Sequence, residues 1–408
     1  MNDTPITVRC CVAGGGPAGM MLGFLLARAG VDVLVLEKHA DFLRDFRGDT
    51  IHPSTLQLMH ELGILDAFLR LPHQEVATLS GRIGDFAVQV ADFRHLPTRC
   101  KFIALMPQWD FLNFLVEQGR RYRSFRLMME AEVTGLLEEG DRVAGLTART
   151  LQGPCDVRAD LVVGADGRHS TVRERAGLEV QDRGAPMDVL WMRISRRAGD
   201  PQETFGRIDA GRILVQIDRG EHWQCAFVIP KGGIEAVKQR GLPWLRAEIA
   251  RLAPHLSDRL DELRDWGDIK LLSVALDRLR QWYRPGLLCI GDAAHAMSPI
   301  GGVGVNLAVQ DAVAAANILA RPLREAAPTL ADLRAVQRRR ELPTRLTQAV
   351  QSTVQNRVIG RVLAGDRPIT SLPLPLRALN SWPYLQRIPA RLVGLGFRPE
   401  HVRTPEVP

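Results

Sequence analysis

The first forty residues alternate apolar runs with a glycine turn, a pattern that predicts a strand, a tight turn, a helix and a second strand. Residues 7–13 form a short apolar run, GGGPAG occupies residues 14–19, and residues 20–29 are apolar at helical spacing. A second apolar run at 31–36 ends on Glu37. This order of elements, with an acid about twenty residues downstream, is the fingerprint of a dinucleotide-binding unit.

Each glycine of this turn has a mechanical role in such a unit. Gly14 permits the tight turn, Gly16 lets the backbone approach a pyrophosphate, and Gly19 lets the helix pack closely on the strand. The helix N-terminus attracts phosphate charge, and Glu37 would accept hydrogen bonds from an adenosine ribose. The motif predicts a bound dinucleotide and leaves its identity open.

Two later strands end in a similar way. Residues 159–165 are apolar and lead into DGRHSTVR, while residues 287–290 lead into GDAAHAMSPIGGVGVN, which opens a helix from about Asn306. Open α/β sheets bind ligands at the carboxyl ends of their strands. Three strand ends that each present an acid or bare glycine backbone therefore predict one long ligand lying across the sheet.

The pattern changes to strands in the middle of the chain. We predict strands at 189–194, 211–217 and 223–229, a helix rich in arginine and leucine at 242–263, and another strand or two within 78–92. The final segment, 367–408, is interrupted by prolines, which excludes one long membrane helix. It could cap an active site, form a subunit contact or touch a membrane surface, and we favour the cap.

Composition narrows the class of protein. The chain has 408 residues, of which 46% are hydrophobic and 24% charged, with a net charge of +7; this length indicates two domains and a smaller appendage. Six scattered cysteines form no C-x-x-C pair and argue against a zinc site or a disulfide framework. No signal peptide or membrane span is evident, so we expect a cytoplasmic protein. The sequence has no basic run interleaved with aromatic residues, so we do not expect nucleic-acid binding.

The three signatures, GGGPAG with Glu37, DGRHSTVR and GDAAHAMSPIGGVGVN, together resemble those of the single-component FAD-dependent aromatic hydroxylases, the p-hydroxybenzoate hydroxylase family. The resemblance covers roughly the first 350 residues and implies an α/β fold. It implies a Rossmann-like FAD-binding domain of glutathione reductase type, an inserted mainly β substrate domain and a helical C-terminal segment. The expected boundaries are 1–75, 100–175 and 273–350 for the first domain, 76–99 and 176–272 for the second, and 351–408 for the third.

The resemblance also assigns residues to the two halves of FAD. The adenosine diphosphate half would be bound by Gly14, Gly16, Gly19 and Glu37, with Arg47 near the pyrophosphate and Gln108 as a further contact. The flavin half would meet Asp292 at the ribityl chain, Pro299 beside the reactive face, and the backbone amides of Gly304, Val305 and Asn306 at the pyrimidine edge. A helix N-terminus there would stabilise the negative charge of the reduced ring.

The remaining assignments concern the nicotinamide cofactor and a proton acceptor. Asp166 and Gly167 match an acid-glycine motif linked to FAD and to the nicotinamide, and His169 matches a histidine that helps to bind NADPH. None of the three tyrosines lies between 176 and 272, which excludes a tyrosine relay in that sheet. If a base is needed, the candidates are His52, His222 and Asp218, and we favour His52.

The resemblance implies a monooxygenase that uses NAD(P)H and O2 to hydroxylate an aromatic or polyketide-like small molecule through a C4a-hydroperoxyflavin. NADPH and NADH are not distinguished, and the sequence allows a homodimer. A flavin-dependent halogenase is disfavoured, because Arg193 stands where its second tryptophan would be and no lysine lies between Lys38 and Lys101. A prenyl-chain reductase and a non-catalytic flavin-binding protein stay open as alternatives.

Overall fold

The computed structural model describes residues 6–43, 50–201, 205–365, 367 and 369–407. Within them the strands are β1 (Ile6–Ala13), β2 (Val33–Leu36), β3 (Thr50–Ile51), β4 (Gln74–Val76), β5 (Thr78–Ile83), β6 (Phe86–Asp92), β7 (Ile103–Leu105), β8 (Phe125–Met128), β9 (Glu132–Glu139), β10 (Arg142–Thr150), β11 (Gly153–Gly164), β12 (Val180–Asp182), β13 (Met187–Ser195), β14 (Phe205–Asp209), β15 (Arg212–Asp218), β16 (His222–Pro230), β17 (Lys270–Leu272), β18 (Asp277–Leu279), β19 (Tyr283–Arg284) and β20 (Leu287–Cys289).

The helices of the same residues are α1 (Pro17–Arg28), α2 (Pro53–Glu61), α3 (Leu65–Phe68), α4 (Gln108–Gly119), α5 (Thr171–Arg175), α6 (Ile234–Arg240), α7 (Leu242–Leu252), α8 (Val303–Glu325), α9 (Leu330–Val354), α10 (Gly360–Ala364), α11 (Leu374–Ser381) and α12 (Arg387–Gly394). A π-helical turn, Gln355–Ile359, joins α9 to α10.

The first sheet has the order β19-β20-β11-β1-β2-β8, and β10 and β9 add to β11 as an antiparallel extension. The pairs from β20 through β11, β1 and β2 to β8 are parallel. Such strands are buried on both faces, which explains why β1 and β2 read as continuous apolar runs rather than alternating ones. Helix α1 contacts both α4 and α8, so its apolar residues are buried nearly all round. The predicted fold class is confirmed.

The second sheet has the order β17-β13-β16-β15-β14-β5-β6. One face is covered by α6 and α7, which pack on alternate residues of β13 such as Leu190 and Met192. The opposite face carries Val189 and its neighbours and packs against Ile300. The two strands predicted within 78–92 are present as β5 and β6.

Two predicted helices have other bounds in the structure, and one expected domain boundary, which stays a prediction, falls within a strand. The helix predicted at 242–263 ends at Leu252, and short 3₁₀ turns follow, because Pro254 cannot continue the hydrogen-bonded helix. The helix predicted from Asn306 begins at Val303, directly after Gly302, whose φ of +61° ends the preceding turn. The domain boundary expected between residues 75 and 76 falls inside β4.

The C-terminal segment contacts the second sheet and helix α1. Helices α11 and α12 pack on β6, and Ala390 lies in a small core with Phe93 and Leu105. The last residues then return to the first domain, where Val407 N donates to Arg28 O at 2.8 Å. Among the described helices, Ile300–Glu325 is long and apolar enough by composition to cross a membrane, and 78% of its most apolar window is buried inside the fold.

Candidate active site

The carboxyl ends of three parallel strands meet at one edge of the first sheet. β20, β11 and β1 are consecutive neighbours, and Ala13 pairs with Gly164, which in turn pairs with Cys289. The turns that follow these strands are the three sequence signatures. The fold therefore places the signatures side by side, in the arrangement that one ligand lying across the sheet requires.

The glycine turn after β1 is shaped by close backbone contacts. Gly14 has φ +103°, and a Cβ atom on Gly19 would lie 1.9 Å from Gly14 O. A Cβ atom on Gly16, by contrast, would meet nothing within 4 Å. Gly16 begins α1 without a side-chain cap. The N–H groups of the first turn of α1 are thus available for an anion, as a pyrophosphate site demands.

Glu37 lies at the end of β2 beside this turn. Its Oε2 accepts a hydrogen bond from Gly15 N at 2.9 Å, and its Oε1 accepts one from His39 N at 3.1 Å. The residue is buried, with 8% of its surface exposed. The two backbone donors fix the carboxylate next to the glycine turn, and a carboxylate can accept further bonds, for example from ribose hydroxyls.

Asp166 organises the turn after β11. Its carboxylate accepts hydrogen bonds from Ser170 Oγ at 2.5 Å and from Val172 N at 3.1 Å, which fixes the start of α5. Burial raises the pKa of Asp166 above its ordinary value. Gly167 has φ +86° with open space around its Cβ position, and His169 is exposed in the same turn. These residues line the edge where the ligand is expected, and their ligand contacts stay predictions.

The third turn, residues 291–302, is called the glycine loop below. Asp292 Oδ2 lies 3.9 Å from Arg168 Nη2, and its side chain is 35% exposed. The loop ends at Gly302, and α8 begins without a side-chain cap. Gly304 and Val305 belong to the first turn of α8, whose N–H groups have no intrahelical acceptor. A second helix N-terminus with a positive partial charge therefore lies at this edge of the sheet.

Asn306 ties the start of α8 to the segment around β3. Its Oδ1 accepts hydrogen bonds from His52 N at 2.9 Å and from Thr55 Oγ1 at 2.7 Å, and its Nδ2 donates to Thr50 O at 3.2 Å. Thr50 Oγ1 also donates to Gly302 O at 2.9 Å. The side chain of Asn306 thus has a structural role, while its backbone is the part expected to face the ligand.

His52 is fully buried at the start of α2. Its Nδ1 lies 2.7 Å from Val393 O, and because a carbonyl oxygen can only accept, Nδ1 carries the proton. Nε2 is buried and has no hydrogen-bond partner among the described residues. Burial lowers the pKa of His52 from 6.5 to about 4, despite the opposing bond to Val393. The ring is therefore neutral at pH 7.

Two other candidate bases have competing contacts. Asp218 Oδ2 lies 3.1 Å from Arg196 Nε. His222 lines a cavity of about 280 Å³ with Arg193, Glu221 and Glu262, and burial and nearby arginines lower its pKa to about 4. Of the predicted cofactor residues that the structure describes, none lines this cavity.

The remaining predicted residues are less informative. Gln108 is the first residue of α4 and is half-buried. Pro299 precedes the last turn of the glycine loop and is also half-buried. Arg47 lies outside the described residues, so its predicted contact with the pyrophosphate stays a prediction.

A buried charge network behind the glycine loop was not predicted from the sequence. Asp311 on α8 accepts hydrogen bonds from Gly291 N at 3.1 Å and Arg340 Nε at 2.9 Å, and its Oδ2 lies 2.5 Å from His295 Nε2. Burial alone would raise the pKa of Asp311, but His295 and Arg340 together hold it below its ordinary value. Arg340 also lies 3.3 Å from Glu400 of the C-terminal segment. The network fixes the first residue of the glycine loop to two helices and the tail.

One signal could have revealed this network. Asp311 interrupts the apolar face of α8, in LAVQDAVAAANILA, and an acid in a buried helix needs a charged partner. Its partner Arg340 is 29 residues further along the chain, and Glu400, which pairs with Arg340, is 89 residues further; no local pattern identifies either residue.

Comparisons with known proteins agree with this geometry. The family model described as "FAD binding domain" matches residues 7–350. The chain is 35% identical over 368 residues to 6-methylpretetramide 4-monooxygenase of Streptomyces rimosus, covering 88% of this chain and 86% of the relative. It is 29% identical to rifampicin monooxygenase of Streptomyces venezuelae, covering 74% of this chain but 61% of that longer relative. The crystal structure of p-nitrophenol 4-monooxygenase from Pseudomonas putida superposes with a TM-score of 0.75 at 21% identity, covering 95% and 94% of the two chains.

Proposed function

This chain belongs to the FAD binding domain family of flavoprotein monooxygenases, and from that premise we propose that it hydroxylates an electron-rich ring of a polycyclic, polyketide-type phenol. The overall reaction consumes NAD(P)H, a proton and O2 and yields NAD(P)+, water and the hydroxylated ring. The similarity to a monooxygenase named for a pretetramide supports this substrate class. The observation that carries it is the apolar face of the second sheet, which meets the glycine loop at Ile300.

The residues at the edge of the first sheet suit FAD. The open N-terminus of α1 at Gly16 would take the pyrophosphate, and Glu37 would accept from the adenosine ribose. Asp292 would accept from the ribityl hydroxyls, and the uncapped start of α8, with Gly304, would stabilise negative charge at the pyrimidine edge. Bound FAD supplies the redox and oxygen chemistry. Asp166, Gly167, His169, Gln108 and Arg47 keep the cofactor contacts predicted for them.

The substrate would lie on the face of the second sheet that packs against the glycine loop. This face presents apolar side chains from several strands, including Val189 and the half-buried Trp191 of β13 and Val215 of β15. Gly206 on β14 has room for a Cβ atom there, since the nearest atom to it would be Val215 Cγ2 at 3.9 Å. A flat, apolar ring system can lie against such a surface and displace water from the reacting carbon.

His52 keeps its proposed role as the proton acceptor, through Nε2, because Nδ1–H is engaged by Val393. A ring with a pKa of about 4 is a weak base towards a phenol of pKa about 10. His52→Ala should keep FAD and slow hydroxylation if the ring takes the proton. His52→Asn can still donate to Val393 O, so recovery of full turnover in that variant would show that His52 only holds the C-terminal segment.

The decisive experiment is a spectrum followed by turnover. The purified protein should show the visible absorption of FAD, and a polycyclic phenol should accelerate oxidation of NADPH or NADH together with O2 uptake. The product should be heavier by one oxygen atom. A protein that neither retains nor binds FAD would contradict the proposal, and NAD(P)H oxidation that needs no O2 would indicate a reductase instead. A flavoprotein that oxidises no nicotinamide with any phenol would be a binding protein.

The partners and location follow from the same proposal. The substrate, O2 and NAD(P)H are small molecules, and no nucleic acid is involved. A cytoplasmic location is supported by six free cysteines and by the burial of the one long apolar helix described above. The homodimer allowed by the sequence stays a prediction, which light scattering of the purified protein can test.

A further inference from the structure

Three glutamines on one face of α9 and its extension are almost completely buried. Gln348, Gln351 and Gln355 are 4%, 4% and 1% exposed. Their spacing of three and four residues places them on the same side of a helix. A buried glutamine must satisfy an acceptor and two donors, so three of them in a row indicate a dedicated set of polar partners.

Those partners are in the glycine loop. Gln351 Oε1 accepts from Ser298 N at 3.2 Å, and its Nε2 donates to Ser298 O at 2.9 Å and Ile300 O at 3.1 Å. Gln355 Nε2 donates to Ser298 Oγ at 2.8 Å. One side chain therefore bonds both backbone groups of Ser298, and the next bonds its hydroxyl.

Gln348 extends the same contact towards the start of the loop. Its Nε2 donates to Ala296 O at 3.2 Å and to Asp277 O at 2.7 Å, and its Oε1 accepts from Arg278 Nη1 at 3.2 Å. Residues 296–300 belong to no strand. Their backbone conformation is therefore fixed by side chains of α9 rather than by a ladder of backbone bonds.

The same helix continues onto the substrate side. Beyond Gln355 the chain makes its π-helical turn, and Ile359, Val362 and Leu363 pack with Ile300 on the apolar face of the second sheet. π-Helical turns are rare and are frequently found at functional sites. One continuous element thus contacts the glycine loop with its glutamines and the proposed substrate surface with its apolar side chains.

We propose that Gln351, assisted by Gln348 and Gln355, is a positioning residue that holds Ser298, Pro299 and Ile300 at the distance from the sheet face that productive oxygen transfer requires. This inference rests on the proposed function. Without Gln351 the loop should move while the pyrophosphate end of the cofactor site stays intact. More of the reducing equivalents would then leave as hydrogen peroxide, by the balanced reaction of NAD(P)H, a proton and O2 to NAD(P)+ and H2O2.

The test compares two glutamines of one helix. Gln351→Met keeps the length of the side chain and removes its hydrogen bonds. Gln337→Met is the matched control, because Gln337 also bonds backbone groups, Trp282 N at 3.0 Å and Arg280 O at 3.1 Å, neither of which belongs to the glycine loop. Hydrogen exchange of the apoprotein needs no cofactor. We expect Gln351→Met to speed exchange of the Ser298 amide about 10-fold or more, and Gln337→Met to leave it unchanged.

The holoenzymes give the second measurement, the H2O2 formed per NAD(P)H consumed with substrate present. This ratio should rise at least twofold in Gln351→Met only. Unchanged loop exchange and an unchanged ratio would overturn the inference, as would equal effects from Gln337→Met. If Gln351→Met does not fold, Gln355→Met replaces it in both measurements, the exchange of the Ser298 amide and the H2O2 formed per NAD(P)H. Gln355→Met loses one hydrogen bond, to Ser298 Oγ. A wild-type protein that binds no FAD would instead contradict the proposed function.

Discussion

The proposed cofactor edge of the first sheet and the proposed substrate face of the second are formed by different parts of the chain, backbone in one and side chains in the other. The cofactor edge consists of backbone: glycine turns, two uncapped helix starts and strand ends in register. The substrate face consists of side chains on an antiparallel sheet. A backbone site needs glycine at particular positions, whereas an apolar face accepts many combinations of similar residues. The first region therefore leaves a readable motif, and the second does not.

The largest expected effect would come from the buried charges behind the cofactor edge. Arg340→Met should lower the free energy of unfolding by about 3–5 kcal/mol, because it removes the buried guanidinium that pairs with both Asp311 and Glu400. Denaturant unfolding of the apoprotein measures this. Arg321→Met, whose ion pair with Glu325 is exposed on both sides, is the control and should cost at most about 1 kcal/mol. Equal losses would mean that the network does not support the cofactor edge.

This network also marks what the sequence could not predict. Gly14, Gly19 and Glu37 were assigned from a pattern spanning about thirty residues, because the chemistry of a phosphate turn is local. The pairing of Arg340 with both Asp311 and Glu400 is not local, since it joins residues far apart in the chain. Likewise, the start of α8 was placed three residues late because an αL glycine, rather than the polar Asn306, begins that helix.

The next prediction concerns the pH dependence of stability through His52, which links the cofactor edge to the C-terminal segment. Its pKa is about 4 in the fold and 6.5 in its absence. As pH falls through 6.5, the unfolded chain takes up a proton first, so the free energy of unfolding should decrease until about pH 4, by up to about 3 kcal/mol. This stability is fully present above pH 6.5.

Thermal unfolding between pH 7 and pH 4 provides the measurement. The His52→Asn variant should show a shallower fall than the wild type over this range. His60→Asn, at an exposed site on the same helix, serves as the control and should keep the wild-type slope. A wild-type slope in His52→Asn would show that the buried ring is not the source of the acid sensitivity.

A pair of glycine variants compares the two regions directly. Gly19→Ala places a Cβ atom 1.9 Å from Gly14 O, so it should cost about 1–3 kcal/mol of stability and weaken FAD binding at least about tenfold. Gly206→Ala, on the substrate sheet, has room for its Cβ atom and should change stability by less than about 1 kcal/mol. Unfolding curves and FAD titration would test both. If Gly19→Ala keeps the wild-type stability and FAD affinity, close backbone contacts do not define the cofactor edge.

The smallest expected effect distinguishes the two faces of the second sheet. Trp191 is packed on the face that meets the glycine loop, so Trp191→Leu should raise KM for the phenol roughly fivefold, equivalent to about 1 kcal/mol of lost apolar contact, with FAD affinity unchanged. Trp244 packs on the opposite face with α7, and Trp244→Leu should lower stability without changing KM. If the two variants shift KM equally, the substrate does not bind specifically to the face that contains Trp191. The apolar surface at Ile300 is then part of the hydrophobic core. If only Trp191→Leu raises KM, substrate recognition depends on side chains that no short motif could have identified.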